Sequence, residues 1–315
     1  MTKTYANLID GEMVTSEATI DVLNPATEEV IAKVPACGKD ELDRAVDAAR
    51  AAFKSWRKTT PEERQKVVLS IAAAIKDNAD ELFRLLTSEQ GKPHAQAQQE
   101  IYGAAGLAKA QSGLTLDDVV NQDDDTRLSR TRRVPVGVVG GIVPWNFPIM
   151  MAIQKIVPAL VAGCTIVLKP SPFTPLTTLR IAELIKDVVP KGAVNIITGE
   201  DSLGPLITEH PGIDKITFTG STATGKKIME GAARDLKRIT LELGGNDASI
   251  VLPDADVEKV AEQLFWSSFS NAGQVCIAAK RIYIHEDIYD DLSKAIADYA
   301  KGVTVGDGSQ QGTGV

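Results

Sequence analysis

The residues of this sequence best placed to do chemistry are a cysteine, a glutamate, an asparagine and a lysine, each set beside glycine or proline. Cys276 ends the run Asn271-Ala272-Gly273-Gln274-Val275-Cys276, which joins a helical pattern to a strand pattern. Small residues there let the backbone turn tightly and let a substrate approach the sulfur. Such a thiol can serve as a nucleophile, and it can equally be an inert packing residue. Cys37 and Cys164 read as packing residues. Glu242, in Leu241-Glu242-Leu243-Gly244-Gly245, ends a strand pattern. A carboxylate at the mouth of a sheet, beside a backbone able to rearrange, suits a general base whose pKa is raised by burial. A helix-capping or salt-bridged glutamate accounts for the same residue.

Asn146 lies in Pro144-Trp145-Asn146-Phe147-Pro148 after an apolar strand pattern. Its amide can donate to a developing oxyanion, or it can be a turn asparagine between prolines. Lys169-Pro170-Ser171 ends another strand, where a lysine can hold a ribose hydroxyl or a phosphate, or simply face solvent. Phe218-Thr219-Gly220-Ser221-Thr222-Ala223-Thr224-Gly225-Lys226 is a strand–turn–helix whose helix N-terminus can face a pyrophosphate. It is neither G-x-G-x-x-G nor a Walker loop, because Lys226 is followed by Lys227. The histidines His94, His210 and His285 are scattered without metal-ligand spacing, so no metal site is expected. A Cys–His hydrolase needs one of them beside Cys276. His285, nine residues on and at the far end of the next strand, is expected to be too distant.

The elements that must position these residues follow from periodicity. The first third reads as helical: Leu42, Ala45, Val46, Ala49 and Phe53 recur at helical spacing. Thr60-Pro61-Glu62-Glu63 is a capping box with proline at the first helical position. A further apolar pattern from Leu82 to Leu86 stops at Gly91. Asn121 to Arg133 changes sign from acidic to basic; it reads as a solvated edge ribbon or as an arm that pairs with another subunit. Beyond Val134, strands are expected at Val136–Val143, Thr165–Lys169, Ala193–Ile197, Lys215–Thr219 and Ile239–Glu242. Helices are expected between them, at Ile149–Val161, Leu176–Val188, Ser202–Glu209 and Ala223–Asp235. This alternation implies a doubly wound parallel α/β sheet with ligands at the C-terminal strand ends. A second α/β unit begins near Ala248, with strands at Ala248–Leu252 and Lys280–His285 and helices at Val257–Ser270 and Ile288–Ala300. The Gly-rich stretch from Gly306 to Val315 closes no element, and reads as a floppy tail or, in better accord with the small size of the unit that it ends, as a truncation inside a domain.

Composition bounds the rest. The chain has 315 residues, 43% hydrophobic and 24% charged, with a net charge of −8. It is long enough for about two domains of roughly 150 residues and is not a disordered composition. Nucleic acid and anionic membrane surfaces are poor partners for this charge. The three cysteines form no C-x-x-C pair, which points to a reduced, cytoplasmic setting. Met1 to Gly11 carries no secretory signal, and Ile156 to Leu168 is too short and interrupted to span a bilayer.

The five motifs Pro144-Trp145-Asn146-Phe147-Pro148, Lys169-Pro170-Ser171, Phe218-Thr219-Gly220-Ser221, Glu242-Leu243-Gly244-Gly245 and Gly273-Gln274-x-Cys276 stand in the order and spacing of the aldehyde dehydrogenase superfamily, which the whole chain resembles. The resemblance implies a Rossmann-like NAD(P)-binding domain from segments 1–118 and 138–245, an oligomerisation arm at 119–137, and the N-terminal part of a catalytic domain at 246–315. It implies oxidation of a small-molecule aldehyde to the acid with NAD or NADP, in a homo-dimer or homo-tetramer. Cys276 would attack the carbonyl, and Asn146 with the Cys276 backbone N–H would hold the oxyanion. Glu242 would activate water against the thioester, with Lys155 as a further catalytic residue. The cofactor would lie along Ile142, Pro144, Trp145, Asn146, Lys169, Ser171, Gly199, Phe218, Gly220, Ser221, Thr224 and Leu243.

Two departures from the family matter. The position three after Lys169, often a glutamate in NAD-specific relatives, is Pro172, so nothing there repels a 2′-phosphate. The family's Glu-x-Phe-Gly-Pro segment does not occur in these residues. Gln154 stands where succinate-semialdehyde relatives often have arginine, and Val275 and Ile277 imply an apolar pocket. Two other readings stay open. One is a nucleotide-binding fragment without catalysis, should Val315 be the true end. The other is a thiol hydrolase using Cys276 and Glu242 on esters.

Overall fold

Apolar side chains on successive residues of one strand point to opposite faces, and here both faces are covered. The computed structural model describes residues 3–315. Met1 and Thr2, the start of the expected 1–118 segment and of the stretch searched for a leader, lie outside the described residues. The chain opens with five short strands, β1 (Lys3–Thr4), β2 (Asn7–Ile9), β3 (Glu12–Val14), β4 (Thr19–Leu23) and β5 (Val30–Pro35). Four helices follow: α1 (Lys39–Trp56), α2 (Pro61–Asp77), α3 (Ala79–Gln90) and α4 (His94–Gln111). A two-stranded ribbon, β6 (Val119–Asp124) and β7 (Arg127–Thr131), leads into the alternating part. There β8 (Val138–Ile142), α5 (Pro148–Val161), β9 (Thr165–Lys169), α6 (Leu176–Ile185), β10 (Val194–Ile196), α7 (Leu203–Glu209), β11 (Lys215–Thr219), α8 (Thr222–Ala233) and β12 (Arg238–Glu242) succeed one another.

The main sheet has seven strands in the order β12-β11-β8-β9-β10-β2-β3. The five from β8 to β12 are parallel, and β2 and β3 add an antiparallel edge. Strand order reverses between β8 and β11, the point where a crevice opens above a doubly wound sheet. One face of the sheet carries Val139, Ile166, Leu168 and Ile196 against α2 to α6. The other carries Val138, Val167, Ile197 and Ile216 against α1, α7 and α8. Each fully buried large aliphatic contributes on the order of 1.5–3 kcal/mol, so the strand ends are held on a stiff base.

The all-helical reading of the first third is corrected at residues 3–35. β1 to β3 are too short to show a period, and Asp21 and Lys33 break the apolar runs of β4 and β5, but Asp10-Gly11 carries a hairpin signal: both residues have positive φ, 53° and 77°, and join β2 to β3 in two residues. Helix α4 was also not anticipated. The expected capping box is present, with Glu63 N–H donating to Thr60 Oγ1 at 3.2 Å and Thr60 N–H donating to Glu63 Oε2 at 2.7 Å.

After β12 the chain leaves the sheet. β13 (Asp247–Val251) and β14 (Ala279–Ile284) form a separate parallel pair, packed on α9 (Val257–Phe269) and α10 (Tyr289–Lys301) around Val251, Leu264 and Leu292. The Gly-rich ending is not floppy. It folds back on the start of α4, where His94 N–H donates to the Gly308 carbonyl at 3.1 Å and Gln96 Nε2 donates to the Gly314 carbonyl at 2.9 Å.

Candidate active site

The C-terminal ends of β8, β9, β11 and β12 open into one cleft of about 960 Å³. Twelve of the residues expected in the site line it: Ile142, Pro144, Trp145, Asn146, Lys169, Ser171, Phe218, Gly220, Ser221, Thr224, Leu243 and Cys276. The sheet explains why residues so distant in sequence meet. Parallel registry places Ile142 opposite Lys169, and Thr219 opposite Glu242. Gly220 N–H then donates to the Glu242 carbonyl at 3.0 Å, extending the pairing beyond β11.

Helix α8 starts at this mouth. Ser221 caps it, its Oγ accepting from Thr224 N–H at 3.1 Å. The remaining free N–H groups of the first turn give the helix end a partial positive charge beside the cleft. Lys169 is 4% exposed, so the reading of an ordinary surface lysine fails. Among the described residues its Nζ donates only to the Pro170 carbonyl, at 3.4 Å, and burial holds its pKa below the usual lysine range. A buried ammonium with one long bond for three donors is fitted to further acceptors such as ribose hydroxyls. Asp201, not anticipated, also lines the cleft and draws the Lys169 pKa upward against the effect of burial.

Cys276 is exposed on a strained loop. Asn271, Ala272 and Gly273 take left-handed φ values of 51°, 56° and 74° in succession. Alanine in that region costs roughly 1–2 kcal/mol, so the loop is held from outside. Asn271, which the motif analysis did not single out, is buried and donates from Nδ2 to the Asn146 carbonyl at 3.2 Å. Asn146 Nδ2 donates to the Gln274 carbonyl at 2.7 Å. The asparagine and the cysteine loop are therefore directly bonded, which leaves the second amide hydrogen of Asn146 for another acceptor. Lys280 Nζ donates to the Val275 carbonyl at 2.9 Å and the Cys276 carbonyl at 3.2 Å.

Three expected site residues do not line the cleft. Gly199 packs instead: a Cβ there would lie 2.6 Å from Leu203 Cδ2 and 2.9 Å from the Cys37 carbonyl oxygen. Glu242 is exposed rather than buried, because β12 is the edge strand of the sheet. Lys155 lies behind the cleft, with Nζ 2.8 Å from Thr219 Oγ1 and 3.3 Å from Thr217 Oγ1. Burial pushes its pKa down to about 8, and the negative charge of Glu242 opposes the shift. Val275 lines the cleft, whereas Ile277 is 74% exposed outside it. His285 binds locally, its Nδ1 accepting from Asp287 N–H at 3.3 Å beyond the far end of β14. Cys37 is buried, and burial pushes its thiol up to about 12.

The aldehyde dehydrogenase family matches residues 13–315. A probable aldehyde dehydrogenase from Pseudomonas sp is 43% identical over 310 residues, covering 98% of this chain and 63% of that protein. The succinate-semialdehyde dehydrogenase [NADP(+)] GabD of Escherichia coli K12 is 40% identical over 313 residues, covering 97% of this chain and 65% of that protein. The NAD+ complex of aldehyde dehydrogenase from Bacillus cereus superposes with a TM-score of 0.96 at 38% identity, covering 99% of this chain and 66% of that one. The chain thus spans about two thirds of the length of the relatives it matches. On sequence and fold alike, it belongs to the aldehyde dehydrogenase family.

Proposed function

We propose that this protein oxidises an aldehyde to the carboxylic acid with NAD or NADP as hydride acceptor. The observation that carries the reading is the meeting, in one cleft, of an exposed thiol, an amide donor bonded to the thiol's own loop, and parallel strand ends with a helix N-terminus. The far side of the cleft fits a dinucleotide: the first turn of α8 would hold its pyrophosphate, and Lys169 with Ser171 would hold its ribose. NAD(P)+, when bound, supplies the hydride acceptor.

The chain's own residues do the rest. Cys276 Sγ, as thiolate, adds to the aldehyde carbon. The second Asn146 amide hydrogen and the Cys276 backbone N–H stabilise the oxygen anion that forms. Loss of hydride from this adduct leaves a thioester on Cys276. Water, deprotonated by Glu242, then cleaves it, releasing the acid and restoring the thiolate. Lys155, held by Thr219 on the adjoining strand, would act as a further charged group behind the reacting atoms, within electrostatic reach of Glu242. We take 138–245 with the first segment as the cofactor unit, 246–315 as the part carrying the nucleophile, and 119–137 as a subunit-pairing arm. Three free thiols suit a reduced cytoplasm. No helix among the described residues is long and apolar enough to cross a membrane.

The test is NAD(P)H formation from a short aliphatic aldehyde. Cys276→Ser should lower it at least 1,000-fold, roughly the loss that follows removal of a covalent nucleophile, and a variant as fast as the parent ends the reading. A second reading, nucleotide binding without turnover, is supported by the exposed Glu242 outside the cleft lining. It predicts NAD(P) binding in both proteins and turnover in neither.

A further inference from the structure

The turn that carries Asn146 is held from behind by a buried ion pair that the reaction above does not use. Lys92, between α3 and α4, and Glu100, on α4, have side chains each 1% exposed, with Nζ 2.5 Å from Oε2. Neither group stops at its partner. Lys92 Nζ also donates to the Asn146 carbonyl at 2.9 Å and lies 3.9 Å from the Phe147 ring centroid. Glu100 Oε1 accepts the backbone N–H groups of Ile149 and Met150, at 3.0 and 3.1 Å, in the first turn of α5. The pair thus grips the turn on both sides of Pro148.

The same helix reaches the cysteine loop. Gln96 Oε1, on α4, accepts the backbone N–H of Asn271 at 2.9 Å, and Asn271 shares the Asn146 carbonyl with Lys92. Burying two charges is costly, and an apolar pair of similar volume would fill the space at less cost. The hydrogen bonds that the pair makes beyond itself are instead all to the backbone on either side of Pro148.

We propose that Lys92 and Glu100 are positioning residues: through the Asn146 carbonyl and the first turn of α5 they set the Asn146 amide against the loop that bears Cys276. That this placement serves an oxyanion rests on the aldehyde reading; the mechanical coupling of the two loops does not. Lys92→Met alone leaves a buried carboxylate without its partner and is prone to unfold. The variant to use is therefore Lys92→Met with Glu100→Gln, in the whole chain, which removes both charges and keeps an acceptor for α5.

Two measurements decide it. In hydrogen–deuterium exchange, residues 144–150 and 271–276 should both exchange at least about tenfold faster in the double variant, with the β9 and β11 protection unchanged. Exchange at 271–276 equal to the parent overturns the proposal. In the second, Cys276 is alkylated with iodoacetamide in the presence of hexanal. The hexanal concentration giving half-protection should rise about tenfold, while alkylation without hexanal changes less than twofold. Loss of packing alone would alter the unprotected rate as well. An unchanged half-protection concentration in a protected parent also overturns the proposal. A parent that hexanal never protects sinks the aldehyde reading instead, and exchange alone then decides the positioning.

Discussion

Lys155, buried behind the cleft, has an environment that departs far from its chemistry in water. Its folded pKa of about 8 lies below the ordinary 10.5, because burial disfavours the ammonium. Below pH 8 folded and unfolded chains both hold the proton, and this group adds no slope to stability. Between pH 8 and 10.5 the unfolded chain keeps a proton that the folded chain has released, so stability rises with pH; above 10.5 it is level again. Lys155→Met should remove that rise, worth roughly 3 kcal/mol at most at 1.36 kcal/mol per unit. Urea unfolding of parent and variant at pH 7.5 and pH 10 reads it, and equal slopes in the two proteins contradict it. Glu242 shows the other side of residue-scale reading. Its type and position at a strand end were legible, but its burial was not, since that depends on what packs outside β12.

At the scale of elements, α8 concentrates two duties in its first turn. Ser221 caps the helix and stands in the cleft lining. Ser221→Ala should cost about 1 kcal/mol of stability through the lost cap, and should weaken NAD(P) binding. Trp145, exposed in the cleft, is a convenient fluorescence reporter for the titration. Unchanged affinity beside lowered stability would remove α8 from the anion site. Legibility differed from element to element for physical reasons. β9 and β11 match their expected bounds because a buried parallel strand is a short apolar run between turn residues. β1 to β3 are not legible because no period can show over two or three residues, and β4 and β5, at least as long as β9, because Asp21 and Lys33 break their apolar runs. Helix α4 escaped because its buried face is mostly alanine, which marks a helical stripe weakly.

At the scale of the molecule, the β6–β7 ribbon stands apart from the main sheet and leaves Val119, Val120 and Leu128 exposed. An isolated two-stranded ribbon is marginal in water, and its free edges invite further strands. Val120→Lys with Leu128→Lys should therefore shift a dimer or tetramer toward monomer by size-exclusion chromatography with light scattering. The melting temperature of the main sheet should change little, since neither residue touches its core. A parent that is monomeric, or a variant that assembles like the parent, removes the arm from subunit pairing.

What the sequence determined by itself was local: the parallel α/β pattern, the strand ends and helix N-terminus at which ligands gather, and the side chains with reactive chemistry. Periodicity, turn residues and capping are properties of neighbours in the chain, so they are written there. Only the tertiary structure decided which of those side chains meet. It joined Asn146 to the Cys276 loop through Gln274 and Asn271, set Lys155 behind the cleft, packed Gly199 against Leu203 and Cys37, left Glu242 in solvent at an edge strand, and drove Lys92 and Glu100 together under the asparagine turn. Those outcomes depend on strand order and on which surfaces remain covered, quantities that arise only when distant segments pack and that no local pattern encodes.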